Sequence, residues 1–252
     1  MISISVIGAG QVGTQFCKAI NATKNLHLEQ WYNRSKIGPE NVLDGVDFCN
    51  DLMHLKPADL YIIAVSDSAV EATSNALPFE KRLVVHTSGS VALRFLNKKN
   101  RKGVFYPLQT FSKTSNLDFV NVPICIETTD KSDRKLLKSV AEALGSPTYF
   151  IQSEQRQSLH LSAVFVNNFT NQLYRIAHEL TDREGIEFDI LKPLMQETIQ
   201  KLQKLSPYMA QTGPAIRNDK KTIKQHLKLL EGTPKYQKIY EILTQSIQYT
   251  HG

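Results

Sequence analysis

The chain has 252 residues, enough for one large domain or two modest ones with cores of their own, and its 30 Lys and Arg against 24 Asp and Glu give a net charge of +6. The three cysteines, Cys17, Cys49 and Cys125, have neither C-x-x-C nor ligand spacing, which excludes a disulfide framework and a zinc site and leaves no metal to expect. No run of about 18 apolar residues occurs and no basic leader precedes the first strand, so the expectation is a cytoplasmic protein with no membrane partner. The charge excess lies in residues 192–252, where ten Lys and Arg meet four acids. Those lysines recur at helical spacing without interleaved aromatic platforms. That pattern fits a solvated helix face better than a nucleic-acid surface, though it also suits the steering of an anion.

In chain order, residues 2–7 read as a strand that runs into Val6-Ile7-Gly8-Ala9-Gly10-Gln11-Val12-Gly13 and then into an amphipathic helix through Phe16, Ala19 and Ile20. Further strands are predicted at 27–32, 60–65, 83–86 and 103–105, with helical stretches between most of them. A last unit follows, with a strand at 123–127, a helix at 132–144 ended by Gly145-Ser146-Pro147, and a strand at 148–151. Strands alternating with helices predict an α/β Rossmann domain, a doubly wound and mostly parallel sheet, over residues 1–152. From residue 153 onward the pattern is helical, broken at Gly185, Ser206-Pro207, Gly213-Pro214 and Gly232-Thr233-Pro234, which predicts an all-α domain over 153–252.

The glycine pattern G-x-G-x-x-G is common in ordinary turns, but strand, turn and helix stand here in the order that a dinucleotide site needs. Gly8 permits the tight turn, Gly10 lets backbone approach a pyrophosphate, and Gly13 lets the helix pack on the strand. Ala9, Gln11 and Val12 complete the loop, with free N–H groups facing the anion. The second strand ends in Asn33-Arg34-Ser35, where an NAD enzyme of this fold places an acid. A cation between hydrogen-bonding residues favours NADP(H), with Arg34 and Ser35 on the 2′-phosphate and Asn33 beside them. A solvated arginine in a loop is the plainer reading of Arg34.

Ligands bind at the carboxyl ends of the strands in open α/β sheets. There stand Val65 and Ser66, whose backbone would pass the nicotinamide ribose, and Thr87-Ser88-Gly89-Ser90, where Ser88 could hold cofactor or a substrate carboxylate. Ser66 or Asp67 could equally cap the next helix, and the Ser/Gly stretch could be a plain turn. Gln109 could bond a substrate carbonyl or its own loop. Residues 157–174 contain no Asp, Glu, Lys or Arg, which predicts one continuous helix buried nearly all round. On it Leu161, Phe165, Phe169 and Leu173 form an apolar stripe, and His160, Asn167 and Asn171 form the opposite row. His160 is the candidate general acid, with Asn167 or Asn168 as its orienting or substrate-binding partner; a structural core histidine is the alternative. A helix about 27 Å long at 1.5 Å per residue is too long to bury among roughly 100 residues of helices. The expectation is a homodimer through the helical domain.

These residues resemble the NADP-dependent group that includes β-hydroxyacid dehydrogenases, ketopantoate reductase and pyrroline-5-carboxylate reductase. The chain is more similar still to a bacterial branch of Rossmann-like oxidoreductases with a C-terminal domain of unknown function. The matching pieces are Tyr106-Pro107-Leu108-Gln109-Thr110-Phe111, His160-Leu161-Ser162-Ala163 with Asn167-Asn168, and Gly213-Pro214-Ala215-Ile216-Arg217-Asn218-Asp219; the branch usually has histidine before that first proline. The resemblance covers nearly the whole chain. It implies a helical domain like the C-terminal domain of 6-phosphogluconate dehydrogenase, an NADP(H) cofactor, and a small anionic keto or imino acid bound between the two domains. One departure stands out: the catalytic lysine of the dehydrogenases has no counterpart, since no lysine occurs between Lys138 and Lys192 and Ala163 stands four residues before Asn167. Either His160 replaces that lysine, or the substrate is an imine that needs less help, or the protein is a non-catalytic NADP-binding sensor.

Overall fold

The structure, a computed structural model, describes residues 1–35, 43, 45–111 and 117–252. In chain order the elements are β1 (Ile2–Ile7), α1 (Gln11–Ala22), β2 (Leu26–Tyr32), β3 (Phe48–Cys49), β4 (Leu60–Ile63), α2 (Val70–Asn75), β5 (Leu83–His86), β6 (Arg101–Pro107), β7 (Ile124–Thr128), α3 (Asp133–Ala143), β8 (Thr148–Phe150) and α4 (Ser153–Ala163). A π-helical segment, Val164–Phe169, joins α4 to α5 (Thr170–Arg183), and α6 (Lys192–Leu202), α7 (Pro207–Ala210), α8 (Lys220–Leu229) and α9 (Pro234–His251) follow.

All eight strands form one sheet in the order β3-β2-β1-β4-β5-β6-β7-β8. Every pairing is parallel except β6 with β7, which run antiparallel with Phe105 opposite Ile126. This is the doubly wound, mostly parallel Rossmann sheet that the strand pattern predicts. Its central strands read as unbroken apolar runs because both faces are covered. Leu60, Ile62, Leu83 and Val85 face a core shared with Phe16, Ile20, Leu137 and Val140 of α1 and α3. Their neighbours Tyr61, Ile63 and Val84 face the opposite layer, with Val70 of α2. The reversal of strand order lies beside β1, so the crevice for a ligand opens at the carboxyl ends of β1 and β4.

The described residues divide into two compact units, Met1–Asn168 and Phe169–Gly252. The sheet ends at Phe150, close to the boundary near residue 152 read from the sequence, but α4 belongs to the first unit. Arg156 is the physical reason: it is fully buried, paired with the Glu127 carboxylate of β7, and bonded to the Val91 carbonyl.

The stretch 157–174 departs from expectation twice. It is not one continuous α-helix, because the wider winding of Val164–Phe169 advances fewer degrees per residue. His160 and Asn167 therefore do not share the row that 100° per residue gives. Nor is it buried: Leu161 is 58% exposed and Val166 75%. The second unit contains α5 to α9, and the predicted breakers act there. Gly185 takes a positive φ of 66° just after α5, the Ser206 hydroxyl caps α7, and Pro234 opens α9. Among its residues only Ile176, Ala215, Leu230 and Thr244 are buried.

Candidate functional site: a glycine-loop cavity and a histidine on the adjoining turn

The loop between β1 and α1 is fixed from both sides. The Gly8 N–H donates to the Tyr32 carbonyl at 2.8 Å, and the Trp31 indole N–H, buried in β2, donates to the Gly8 carbonyl at 3.0 Å. Gly8 has a φ of 120°, and a side chain there would stand 2.2 Å from the Ala64 carbonyl oxygen. A Cβ on Gly13 would meet the Gly8 oxygen at 2.2 Å, so α1 touches the turn only because residue 13 has no side chain. Gly10 differs. A Cβ there meets nothing within 4 Å, and Gly10 stands at the N-cap of α1 with no side chain bonded to the helix end.

That open space belongs to a cavity of about 480 Å³ lined by Gly8, Ala9, Gly10, Gln11, Val12, Asn33, Ala64, Val65, Ser66 and Thr87. Eight of these are residues that the sequence singles out for the cofactor, and the backbone of a 12-residue helix opens onto the same space. The donor set fits a pyrophosphate: uncapped N–H groups, no acid in the first turn of α1, and glycine where backbone must come close. Thr87 was legible only as part of the substrate turn. Gly13 supports the cavity from behind, and Ser88 does not line it.

Asn33 performs a task other than the one expected. Its Oδ1 accepts from the Ala9 N–H at 3.2 Å and its Nδ2 donates to the Ser35 carbonyl at 2.8 Å. The side chain thus ties the glycine loop to the segment that carries Arg34 and Ser35. Both of those are exposed, and among the described residues Arg34 makes no ion pair.

At the rim, Ser66 occupies the N-cap position before residues 67–69 without a side-chain capping bond, so the capping role considered for Ser66 or Asp67 is not found. Asp67 instead accepts from the Ser90 hydroxyl. Ser88 closes its own turn, accepting from the N–H groups of Ser90 at 3.1 Å and Val91 at 3.0 Å. Gln109 is exposed and accepts from the Thr110 N–H at 2.8 Å, which is the local of its two possible uses.

α4 is built against this turn. Its N-terminus carries a capping box between Gln152 and Gln155, the Ser153 hydroxyl donates to Glu127 while accepting from the Leu93 N–H at 3.1 Å, and Gln157 Nε2 donates to the Ser90 carbonyl at 2.8 Å. Arg156 lies beneath, and one turn further on the same face is His160. Its ring packs on Gly89, where a Cβ would stand 2.7 Å from Nδ1, and Nδ1 lies 3.1 Å from the Tyr106 hydroxyl. His160 and the Thr87-Ser88-Gly89-Ser90 turn, found separately in the sequence, are therefore brought together. Tyr106 was not singled out for this site; its place beside the motif proline was the only signal. Asn167 and Asn168 stand exposed in the π-helical segment. Beneath the turn, His86 is fully buried and its pKa is pushed down to about 3, by burial first and then by the Arg156 charge. Burial likewise pushes the Tyr106 hydroxyl up to about 12. Among the described residues no group of three or more His, Cys, Asp or Glu could hold a metal ion, and no helix is long and apolar enough to cross a membrane.

A strand-order reversal beside a glycine-built loop at a helix N-terminus defines a dinucleotide-binding Rossmann fold. Residues 122–247 match the family model of a domain of unknown function, DUF2520. A solved structure of the "putative NADP oxidoreductase BF3122" from Bacteroides fragilis is 39% identical over 98% of both chains, with a TM-score of 0.87. The chain belongs to this family. An imine reductase from Myxococcus stipitatus in complex with NADP+ shares the fold at 15% identity and a TM-score of 0.67, over 99% of this chain and 96% of that one. A 1-pyrroline-5-carboxylate reductase from Streptococcus pyogenes does so at 12% identity and 0.64, over 98% of each chain. No curated protein matches the chain.

Proposed function

We propose that the protein is an NADP(H)-dependent oxidoreductase that reduces a small anionic keto or imino acid. The observation that carries this reading is the cavity at the N-terminus of α1, with open space over Gly10 and close backbone packing at Gly8 and Gly13. The Bacteroides fragilis relative, described as an NADP oxidoreductase, supports it. Gly8, Ala9, Gly10, Gln11 and Val12 would hold the pyrophosphate, and Arg34 with Ser35 the 2′-phosphate, while Asn33 sets the spacing between the two. When bound, the cofactor supplies hydride to an electrophilic carbon. His160 supplies the proton that the carbonyl oxygen or imine nitrogen then needs, with Asn167 or Asn168 as its substrate-binding partner.

Two experiments test the proposal. In fluorescence titrations NADPH binds more tightly than NADH by about 2 kcal/mol, the scale of charge-assisted pairs to a phosphate, and Arg34→Ala removes most of that gap; equal affinity for both cofactors in the unmodified protein refutes the assignment of Arg34. In stopped flow, NADPH is oxidised by at least one member of a panel of 2-keto acids, 2-keto lactones and cyclic imines. A second reading, a non-catalytic NADP sensor, is favoured by one observation, the absence of any lysine between Lys138 and Lys192. Tight NADPH binding with no turnover on the panel selects it.

We further propose that the protein works as a homodimer. A second copy of the chain would cover the apolar side chains that the helices of residues 169–252 expose.

A further inference from the structure

We propose that Tyr106 is a positioning residue that occupies Nδ1 of His160 and so makes Nε2 the nitrogen that exchanges a proton with substrate. This inference rests on the reductase reading and deepens it. The Tyr106 ring belongs to the small apolar cluster on the face of β6 and β7 with Val104 and Cys125, and it is 8% exposed. Its hydroxyl emerges from that cluster 3.1 Å from Nδ1, with the two rings edge to face at 6.0 Å. Gly89 presses on the same edge of the imidazole: a Cβ at residue 89 would stand 2.7 Å from Nδ1, 2.8 Å from Cγ and 2.8 Å from Cζ of Tyr106. A five-membered ring held by its Nδ1–Cγ edge presents its far edge, where Nε2 lies, away from the turn. Glycine at residue 89 is what lets both rings come so close.

A hydroxyl suits this position because it both donates and accepts. In the proposed arrangement the neutral imidazole accepts from the Tyr106 O–H at Nδ1 and carries its own proton on Nε2. When the ring is an imidazolium, Nδ1–H donates to the Tyr106 oxygen. Nδ1 is thus engaged in both states. In the reduction, hydride from NADPH brings an electron pair to the substrate carbon as NADP+ forms. The imidazolium is the acid in this step: its Nε2–H bond breaks as an O–H or N–H bond forms on the substrate. The ring is left neutral with its proton on Nδ1 donated to the Tyr106 oxygen, and exchange with solvent then returns it to the resting Nε2–H form.

Tyr106→Phe tests the proposal, because it keeps the ring in its apolar cluster and removes only the hydroxyl. One readout is independent of turnover: the imidazole nitrogen resonances of His160 in the full chain labelled with 15N-histidine, assigned by their loss in His160→Gln. At a pH where the ring is neutral, the unmodified protein shows one tautomer, protonated at Nε2, and Tyr106→Phe shows a mixture of two. The second readout is NADPH oxidation with pyruvate and 1-pyrroline-5-carboxylate as probes. Tyr106→Phe lowers kcat about 10- to 100-fold, the range for a misplaced proton donor, while KM and NADPH affinity stay within about twofold. Unchanged nitrogen resonances together with unchanged kcat in Tyr106→Phe overturn the inference and leave the reductase reading standing. NADPH binding without turnover in the unmodified protein overturns the reductase reading, and the proton exchange with it.

Discussion

Gly10 and Gly13 lie three residues apart in one motif, yet the structure gives them different work. Residue 13 has backbone at 2.2 Å from a would-be Cβ, whereas residue 10 has open space. Gly13→Ala must move α1 off the turn, which costs about 1–3 kcal/mol, the usual range for overpacking, and lowers the melting temperature. Gly10→Ala leaves the fold intact and places a methyl group in the open space proposed to take the pyrophosphate. We expect an unchanged melting temperature and NADPH binding weakened by about tenfold or more, on the scale of a lost close contact. A Gly10→Ala protein that melts early but binds normally would remove the assignment of the cavity. His86 carries a second prediction at this scale. Its folded pKa of about 3 lies below the ordinary value near 6.5, so below that value the unfolded chain binds a proton that the folded chain refuses. The resulting stabilisation is fully present above about pH 6.5 and is lost as the pH falls towards 3, by at most about 1.4 kcal/mol per unit. Carboxylates are still ionised in the upper part of that window. Urea unfolding stability between pH 7 and 5.5 should fall more steeply for the unmodified protein than for His86→Gln, and parallel slopes would show that His86 takes up its proton as readily in the folded state as in the unfolded one.

α4 shows why one element can be partly legible. Its start after the last strand and His160 on it are both present in the sequence as pattern. The charge that fixes it is not. Arg156 looks like the last solvated charge before an uncharged run, and only the fold brings Glu127 of β7 and the Val91 carbonyl to it, 29 and 65 residues earlier in the chain. The antiparallel run of β7 is invisible for the same reason, since direction depends on a connection and not on composition. β3 is too short to carry a pattern, and the π-helical turn at Val164–Phe169 has no compositional signal. The glycine loop, by contrast, was readable residue by residue, because close approach and positive φ select glycine directly. Arg156 yields the prediction at this scale. Truncating one partner of a buried ion pair leaves the other charge uncompensated and costs about 3–5 kcal/mol, whereas replacing both by apolar residues costs much less. Arg156→Met should therefore lose that much stability in urea titrations, and Glu127→Leu combined with Arg156→Met should regain most of it. A double variant as unstable as the single one would mean that the Val91 and Ser153 contacts, and not the ion pair, hold α4.

At the scale of the whole molecule, the two compact units differ in kind. The first has three apolar clusters packed on its sheet. The second has four buried residues, while Leu173, Leu194, Ile199, Leu202 and Met209 are each 40% exposed or more. A helical unit of this size, with so little buried, cannot offset the entropy of ordering its own chain. Exposed apolar surface on this scale marks an interface, and identical copies joined about a twofold axis are the commonest way in which chains satisfy one another. An obligate contact of this sort buries on the order of 1,000 Å² or more on each protomer, mostly apolar. We predict that light scattering at micromolar concentration gives twice the 28.5 kDa mass of one chain. Leu173→Asp and Leu194→Asp, each placing a carboxylate in the apolar contact, should yield monomers whose helical domain melts early, because the surface that the partner covered returns to water. A stable monomer in the unmodified protein would refute the dimer and would require these helices to hold their fold with almost no core.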